Sequence, residues 1–150
     1  MHGVGFERLV RKMDEIAGKI DEEVIMQIGG TKYTPKNAKY FDFATEQEIK
    51  ELCRKARLVV THGAMSIVDA LDQGTSVVAV PRLKKYGEVI DDHQLYFVQE
   101  LERTGKIIAV YDVNKLEETI KTMSARPARF VSEKRLVEAL KGYVAQFERG

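Results

Sequence analysis

Residues 57–94 restrict the possible folds more than any other stretch, because they read as a strand, a tight turn, a helix and a second strand. The apolar runs at residues 58–60 and 77–80 predict two buried strands. Between them a helix is predicted from Ser66, and Gly74 occupies a position where glycine commonly ends a helix. Two buried strands joined through a helix form a βαβ unit, which indicates a parallel sheet.

Polar segments follow both strands of this unit, at residues 62–66 and 81–94. In open parallel sheets, ligands bind in the crevice beyond the carboxyl ends of the strands. We therefore expect the two segments to lie at one rim of the sheet and to form the functional site.

The rest of the chain continues the alternation of strands and helices. Further helices are predicted over residues 6–19, 46–56, 91–103, 114–123 and 132–147, and further strands over residues 24–28, 40–43 and 106–111. This order predicts an α/β fold with three layers. The length of 150 residues fits a single domain, residues 1–150, in which residues 132–148 form a C-terminal helix. The apolar stripe of that helix is either core packing or a surface for a partner.

Three helices have predicted N-terminal caps. Thr45 and Glu48 have the spacing of a capping box, in which each side chain accepts a hydrogen bond from the backbone N–H of the other residue. Asp91 or Asp92 is expected to cap the helix over residues 91–103, and Asn114 the next helix.

Composition excludes several classes of protein. A formal net charge of +1 does not favour nucleic-acid binding. No apolar run approaches the ~20 residues that span a bilayer, and no signal peptide is visible at the N-terminus. Cys53 is the only cysteine, so neither a disulfide framework nor a thiolate metal cluster is expected. These features predict a cytoplasmic protein.

The turn from Gly63 to Ser66 leads into a helix N-terminus, where free N–H groups and the helix dipole favour an anion such as a diphosphate. The alternative is an ordinary strand–helix turn, since no complete G-x-G-x-x-G or P-loop pattern is present. Asp69, further along that helix, has a carboxylate that could accept hydrogen bonds from a ribose diol. The alternative, which position alone favours, is a solvated helix residue with a favourable dipole interaction.

Asp92, His93 and Gln94 open a helix on the same rim and have short polar groups suited to sugar hydroxyls. The alternative is a capping aspartate followed by two exposed residues. Arg82, Lys84 and Lys85 form a basic loop that is either solvated or in contact with phosphates or an anionic membrane surface. His62 and His93 lack a further set of ligands, and no D-x-D motif is present, so no metal is expected.

The segments THGAMSIVDAL, VVAVPRLKKYGE and DDHQ, in that order, resemble the C-terminal half of glycosyltransferase family 28. The likeness is strongest to the small UDP-sugar-binding subunit of two-part glycosyltransferases, in particular the exopolysaccharide branch. It extends to FERLVRKMDEI, QIGGTKYTPKN and YFDF, and therefore takes in nearly all of residues 1–110.

The resemblance implies a Rossmann-like GT-B half-domain that binds a UDP-sugar donor. In this family an acidic residue of the helix after the glycine turn holds the ribose, and here that residue is Asp69. The family's turn faces the diphosphate, which implies the same for His62, Gly63, Ala64 and Ser66. Asp92 and Gln94 would contact the donor sugar, with His93 beside them, and His2 and Gly3 would close over the phosphates. Here the turn has fewer glycines than the family pattern and is about one residue shorter.

The resemblance also implies inverting, metal-independent transfer that needs no cofactor besides the UDP-sugar substrate. His93 and His2 are the candidate general bases. The acceptor would be lipid-linked, and a membrane-attached partner subunit would supply the acceptor site, so the chain would lie at the inner face of the membrane when complexed. A non-catalytic nucleotide-binding or assembly module fits the length equally well.

One departure concerns the sheet. The family begins with an apolar strand before the residue that matches His2, and Met1 falls where the following turn should be. A central strand is therefore expected to be missing, with two neighbouring strands left unpaired. We expect the natural protein to begin roughly 6–8 residues upstream, a typical strand length.

Overall fold

Helices and strands alternate through the residues described by the computed structural model, 6–88 and 91–124, apart from the side chains of residues 64 and 124. The helices are α1 Glu7–Ala17, α2 Glu46–Lys55, α3 Ala64–Asp72, α4 His93–Arg103 and α5 Leu116–Ser124. The strands are β1 Ile25–Gln27, β2 Lys39–Phe41, β3 Leu58–Thr61, β4 Ser76–Ala79 and β5 Ile108–Ala109. Single 3₁₀ turns occur at Lys84–Tyr86 and Val113–Lys115. The predicted C-terminal helix, residues 132–148, lies outside the described residues.

All strand pairings in the described part of the chain are parallel. β1 pairs with β2, and β3, β4 and β5 form a second sheet in that order. Within the second sheet Val60 lies beside Val78 of β4. The parallel α/β class predicted from residues 57–94 is confirmed.

The strand β4 divides the core into two clusters. Val77 and Ala79 pack with side chains of α2, α3 and α4, whereas Val78 and Val80 pack with α1 and α5. All four β4 residues are buried, as expected for a parallel strand covered on both faces. The three-layer order of helix, sheet and helix is thus also confirmed.

The division into two sheets leaves β1 and β3 each with one strand neighbour among the described residues. Met26 and Ile28 nevertheless share a core cluster with Leu58 and Val60 of β3, so the two sheets lie over one layer of helices. Among the described residues β2 and β5 also have one strand neighbour each, so these edges do not test the expectation of an absent central strand. That the natural chain begins upstream stays a prediction.

Two helix starts differ from the sequence prediction. The helix α3 begins at Ala64 rather than Ser66, because Gly63 already has the extended backbone of an N-cap and its carbonyl accepts from the Ile67 N–H. Asn114 does not cap the later helix. The Asp112 carboxylate instead accepts from the Asn114 N–H at 3.0 Å and opens the 3₁₀ turn, and α5 follows.

Other predicted ends are confirmed. Thr45 and Glu48 form the complete capping box of α2. Gly74 follows α3 with a φ of 74°, a left-handed conformation that glycine adopts at little cost. At α4 it is Asp91 whose carboxylate accepts from the His93 N–H, at 3.0 Å, while the Asp92 side chain makes no cap bond.

Asp14 fastens the segment between β1 and β2 to α1. Its carboxylate is 1% exposed and accepts from the Tyr33 hydroxyl at 2.6 Å, the Lys36 N–H at 3.0 Å and the Asn37 N–H at 2.7 Å. The Asn37 side-chain amide donates in return to the Asp14 carbonyl at 3.2 Å. A buried carboxylate with this many donors is stabilised in its charged form.

Candidate functional site

The carboxyl ends of β3 and β4 lead into the two polar segments selected from the sequence. Because these strands are parallel and directly paired, both chains leave the sheet at the same edge. Gln94 and Arg82 show the proximity of the segments on the β4 side, since the Gln94 amide oxygen accepts from the Arg82 N–H at 3.3 Å. The predicted common rim is present.

The N-terminus of α3 offers free backbone donors at this rim. The Ile67 N–H bonds to the Gly63 carbonyl, so the N–H groups of the three preceding helix residues have no acceptor within the helix. These donors and the positive end of the helix dipole favour a bound anion. A Cβ added at Gly63 would meet only the Ser66 Oγ at 3.6 Å, an ordinary contact. The fold itself therefore does not require glycine at position 63.

The uncharged side chain of His62 lies beside this helix start. Its ring meets the Phe6 ring edge-on, with 5.1 Å between centroids and 82° between planes. Burial, and secondarily the positive charge of Arg82, lower the pKa of His62 to about 3. The imidazole is therefore neutral at physiological pH. Its Nδ1 atom is enclosed and makes no hydrogen bond in the described part of the structure.

Asp69 lies in the second turn of α3 and is only 7% exposed. The alternative of a solvated helix residue is therefore wrong. Helices α2 and α3 pack against each other. Burial raises the pKa of the Cys53 thiol on α2, and the Asp69 charge raises it further. A ribose held by Asp69 would have to reach the side of α3 that faces α2.

Asp92 and Gln94 each use one oxygen to hold the segment that precedes α4. The Asp92 carboxylate accepts from the Lys84 N–H at 3.2 Å, in addition to the Gln94 contact with Arg82. His93, between them, has a side chain that is 61% exposed, and its Nδ1 lies 3.4 Å from the Asp91 Oδ1. The interpretation of two simply exposed residues after a cap fails for Gln94, while His93 is accessible.

Four residues at this rim were missed as a group by the sequence analysis: Phe6, Arg8, Arg82 and Glu88. The Phe6 ring lies 5.1 Å from the Arg8 guanidinium carbon and 5.4 Å from that of Arg82. Arg82 is 7% exposed, so the interpretation of a solvated loop is wrong at this position. Only tertiary packing brings α1 to the rim, and no local pattern in the sequence indicates it.

Other predicted positions give no further geometry. His2 and Gly3 lie outside the described residues, and nothing is described for the Ala64 side chain. An open cavity of about 580 Å³ lies between α1 and α5 rather than at the rim, and Lys12, Lys19 and Glu117 are among its lining residues. Its lysines pair with Glu117 or with Glu15 of α1.

The parallel sheet, its two helical layers and the helix that starts at the carboxyl rim define a Rossmann-like α/β domain. The chain matches the glycosyltransferase family 28 C-terminal domain over residues 3–144 and belongs to that family. It is thus a glycosyltransferase domain of the nucleotide-sugar-binding type.

A similar fold occurs in the crystal structure of the glycotransferase of kitacinnamycin, with a TM-score of 0.60 and 16% sequence identity. The likeness covers 95% of this chain and 35% of that one, so the chain spans about a third of the solved protein. At this identity the comparison shows the fold alone. No functionally curated protein matches the chain. In the part of the chain that the structure describes, no helix has the length and apolar character to cross a membrane.

Proposed function

We propose that this chain is the donor-binding catalytic subunit of a UDP-sugar glycosyltransferase that acts on a lipid-linked acceptor. The observation that carries the proposal is the start of α3, where unsatisfied N–H groups meet the carboxyl rim of a parallel sheet. Membership of glycosyltransferase family 28 supports the same conclusion.

The donor lies across the rim in this proposal. Its diphosphate rests on the N-terminus of α3, next to His62, Gly63 and Ser66. Its ribose reaches Asp69, and its sugar lies towards Asp92 and Gln94. The spacing of the two helix starts supports this arrangement, because α3 and α4 pack against each other and begin at the same rim.

The proposed reaction is inverting and needs neither a metal nor a cofactor. An acceptor hydroxyl attacks the anomeric carbon, the bond from that carbon to the diphosphate oxygen breaks, and UDP leaves. The acceptor proton passes to a general base. The first turn of α3 stabilises the charge that grows on the diphosphate. His93 is the proposed base, since it is exposed at the rim and Asp91 lies within reach of its Nδ1; His2 is the other candidate.

The acceptor site is proposed to belong to a membrane-attached partner subunit. The resemblance of the chain to the small subunit of two-part glycosyltransferases supports this division of the enzyme between two chains. In this proposal the chain works in the cytoplasm, at the inner face of the membrane when complexed. The start of α3, which favours an anion whether or not a reaction follows, also fits a second candidate, a non-catalytic nucleotide-binding or assembly module.

We predict that the chain binds UDP more tightly than GDP or ADP, with titration calorimetry as the measurement. Asp69→Asn keeps the side-chain volume and should cost roughly 1–3 kcal/mol of UDP binding if the carboxylate holds the ribose. Gly63→Ala should weaken UDP binding without unfolding the domain, because its Cβ has room only while the ligand is absent. Asp72→Asn, at the other end of α3, is the matched control. Equal or absent binding of all three nucleotides by folded protein would refute the proposal.

We further predict that the isolated chain has little or no transferase activity and gains it with the membrane-attached partner. The physical reason is that attack requires a bound acceptor and a positioned base, and the proposed partner supplies the acceptor. Transfer of radiolabelled sugar to a lipid-linked acceptor measures it, with Asp69→Asn as the variant that should abolish the gain. Full turnover by the purified chain alone would contradict the proposed requirement for a partner subunit. A partner-dependent activity that is unaffected by Asp69→Asn would favour the non-catalytic module.

A further inference from the structure

We propose that Arg8 and Glu88 are positioning residues for the donor sugar. Their ion pair locks residues 81–88, here called the rim segment, against the start of α1, and the locked segment holds Asp92 and Gln94 in place. The inference rests on the proposed function, because it concerns how the sugar end of the donor is recognised.

The pair itself has strong geometry. The Arg8 Nε donates to the Glu88 Oε2 at 3.0 Å, and the Arg8 Nη2 donates to the Glu88 Oε1 at 2.9 Å. The two side chains are 19% and 15% exposed, the lowest combined exposure among the ion pairs of the described residues. A two-point contact between a guanidinium and a carboxylate fixes orientation as well as distance.

Both partners also hold the backbone of the rim segment. The Arg8 Nη2 donates to the Pro81 carbonyl at 3.2 Å, at the start of the segment. Glu88 lies at the other end of the segment, and its Oε1 accepts from the Leu83 N–H at 3.0 Å. The Arg8 guanidinium carbon lies 4.8 Å from the centre of the Tyr86 ring, which adds a cation–π contact to the segment.

The rim segment in turn fixes the residues proposed to meet the sugar. Its Arg82 N–H donates to the Gln94 side chain at 3.3 Å, and its Lys84 N–H donates to the Asp92 carboxylate at 3.2 Å. A shift of the segment would therefore break the two contacts that orient these side chains. The α3 N-terminus and Asp69 belong to different elements, so the UDP part of the donor should not depend on the lock.

The sequence separation supports a positioning role. Arg8 and Glu88 are 80 residues apart, whereas most other arginine pairs in the described residues join neighbours on one exposed helix face. Exposed pairs of that kind contribute little to stability. A pair that ties α1 to the rim instead acts on the geometry of the site.

The test measures dissociation constants for UDP and for three probes: UDP-glucose, UDP-galactose and UDP-N-acetylglucosamine. The wild-type chain should bind at least one probe more tightly than UDP. Glu88→Gln and Arg8→Met should each weaken binding of that probe about tenfold, as expected for a misplaced contact group, while UDP binding stays within about twofold. The double variant should be no weaker than either single variant, because the two residues act as one unit.

A second measurement detects opening of the rim segment in the absence of any ligand. Limited trypsin digestion under native conditions should cut after Lys84 and Lys85 several-fold faster in Glu88→Gln and Arg8→Met, because local opening exposes the rim segment. Glu7→Gln and Arg54→Met change exposed pairs on α1 and α2 and serve as matched controls for both measurements. Neither control should alter probe binding or cleavage.

The possible outcomes distinguish a failure of the proposed function from a failure of the positioning role. A wild-type chain that binds neither UDP nor any probe overturns the proposed function, and this inference with it. Normal UDP binding with no preference for any probe overturns only the sugar-positioning role. Equal losses of UDP and probe binding that follow the loss in thermal midpoint, or additive losses in the double variant, would mean that the pair is merely structural.

Discussion

Asp14→Ala is expected to destabilise the domain by about 3 kcal/mol, because it removes a buried acceptor and leaves several donors without partners. The Tyr33 hydroxyl and the backbone N–H groups of Lys36 and Asn37 would lose their common acceptor. Equilibrium urea unfolding at neutral pH measures the change. Tyr33→Phe removes only one of these bonds and should cost less than half as much.

The control for this prediction is Asp21→Ala, which changes an exposed carboxylate shortly after α1. It should leave the free energy of unfolding unchanged within ~0.5 kcal/mol, the usual range for surface substitutions. A loss below ~1 kcal/mol for Asp14→Ala would show that the donors find water or other acceptors instead, and would remove Asp14 from its role as the anchor of the β1–β2 connection.

The pH dependence of this anchor has a definite sign. Burial acts to raise the pKa of Asp14, but the hydrogen bonds from Tyr33, Asn37 and Lys36 outweigh it and hold the pKa below its usual value. The carboxylate therefore stabilises the fold above the pKa of the unfolded chain, about 4, and this contribution is lost as the pH falls below that value.

Local patterns were enough to predict the α/β architecture. The spacing of apolar residues indicated the strands on either side of α3, and the Thr45–Glu48 spacing indicated a capping box that the structure contains. These features depend on residues within a few positions of one another. The start of α3 was misplaced because Ser66 is a good capping residue, whereas the backbone uses Gly63.

The contacts of charged residues could not be predicted in the same way. Asp14 lies beside the apolar stripe of α1, but its donors come from a loop about 20 residues away. The contact between Arg8 and Glu88 spans the β3–α3–β4 unit, because Arg8 precedes that unit in the chain and Glu88 follows it. In each case a charged residue of α1 contacts groups that are far away in the sequence, and periodicity carries no information about such partners.

In the candidate site, too, the features set by local sequence were predicted and the contacts between distant residues were not. The sequence located its rim, since strand ends define it, and polar residues within residues 62–66 and 81–94 were identified as candidates. The environments of His62 and Arg82 were not predictable, because Phe6 reaches both from the start of α1. Their burial changes the electrostatics of the rim: positive potential comes from Arg82 and the α3 dipole, while His62 contributes no charge at neutral pH.

Acidification from pH 7 to pH 4.5 is expected to destabilise the domain by roughly 2–3 kcal/mol through His62 alone. Burial, with the charge of Arg82, holds the pKa of this imidazole at about 3 in the folded state. The unfolded chain takes up a proton near the ordinary histidine pKa of about 6.5, so it binds more protons than the folded chain between these values. Stability is therefore complete above about pH 6.5 and falls as the pH drops below it.

Urea unfolding at pH 7.0, 5.5 and 4.5 tests this expectation, and these conditions stay above the range in which Asp14 acts. His62→Phe should remove most of the pH dependence, because phenylalanine keeps the edge contact with Phe6 and cannot be protonated. If His62→Phe unfolded with the same pH dependence as the wild-type chain, the neutral, enclosed imidazole would not be the acid-sensitive group. His62 would then carry a positive charge beside the bound diphosphate at acidic pH. UDP affinity would therefore rise on acidification, whereas a neutral His62 would not change it.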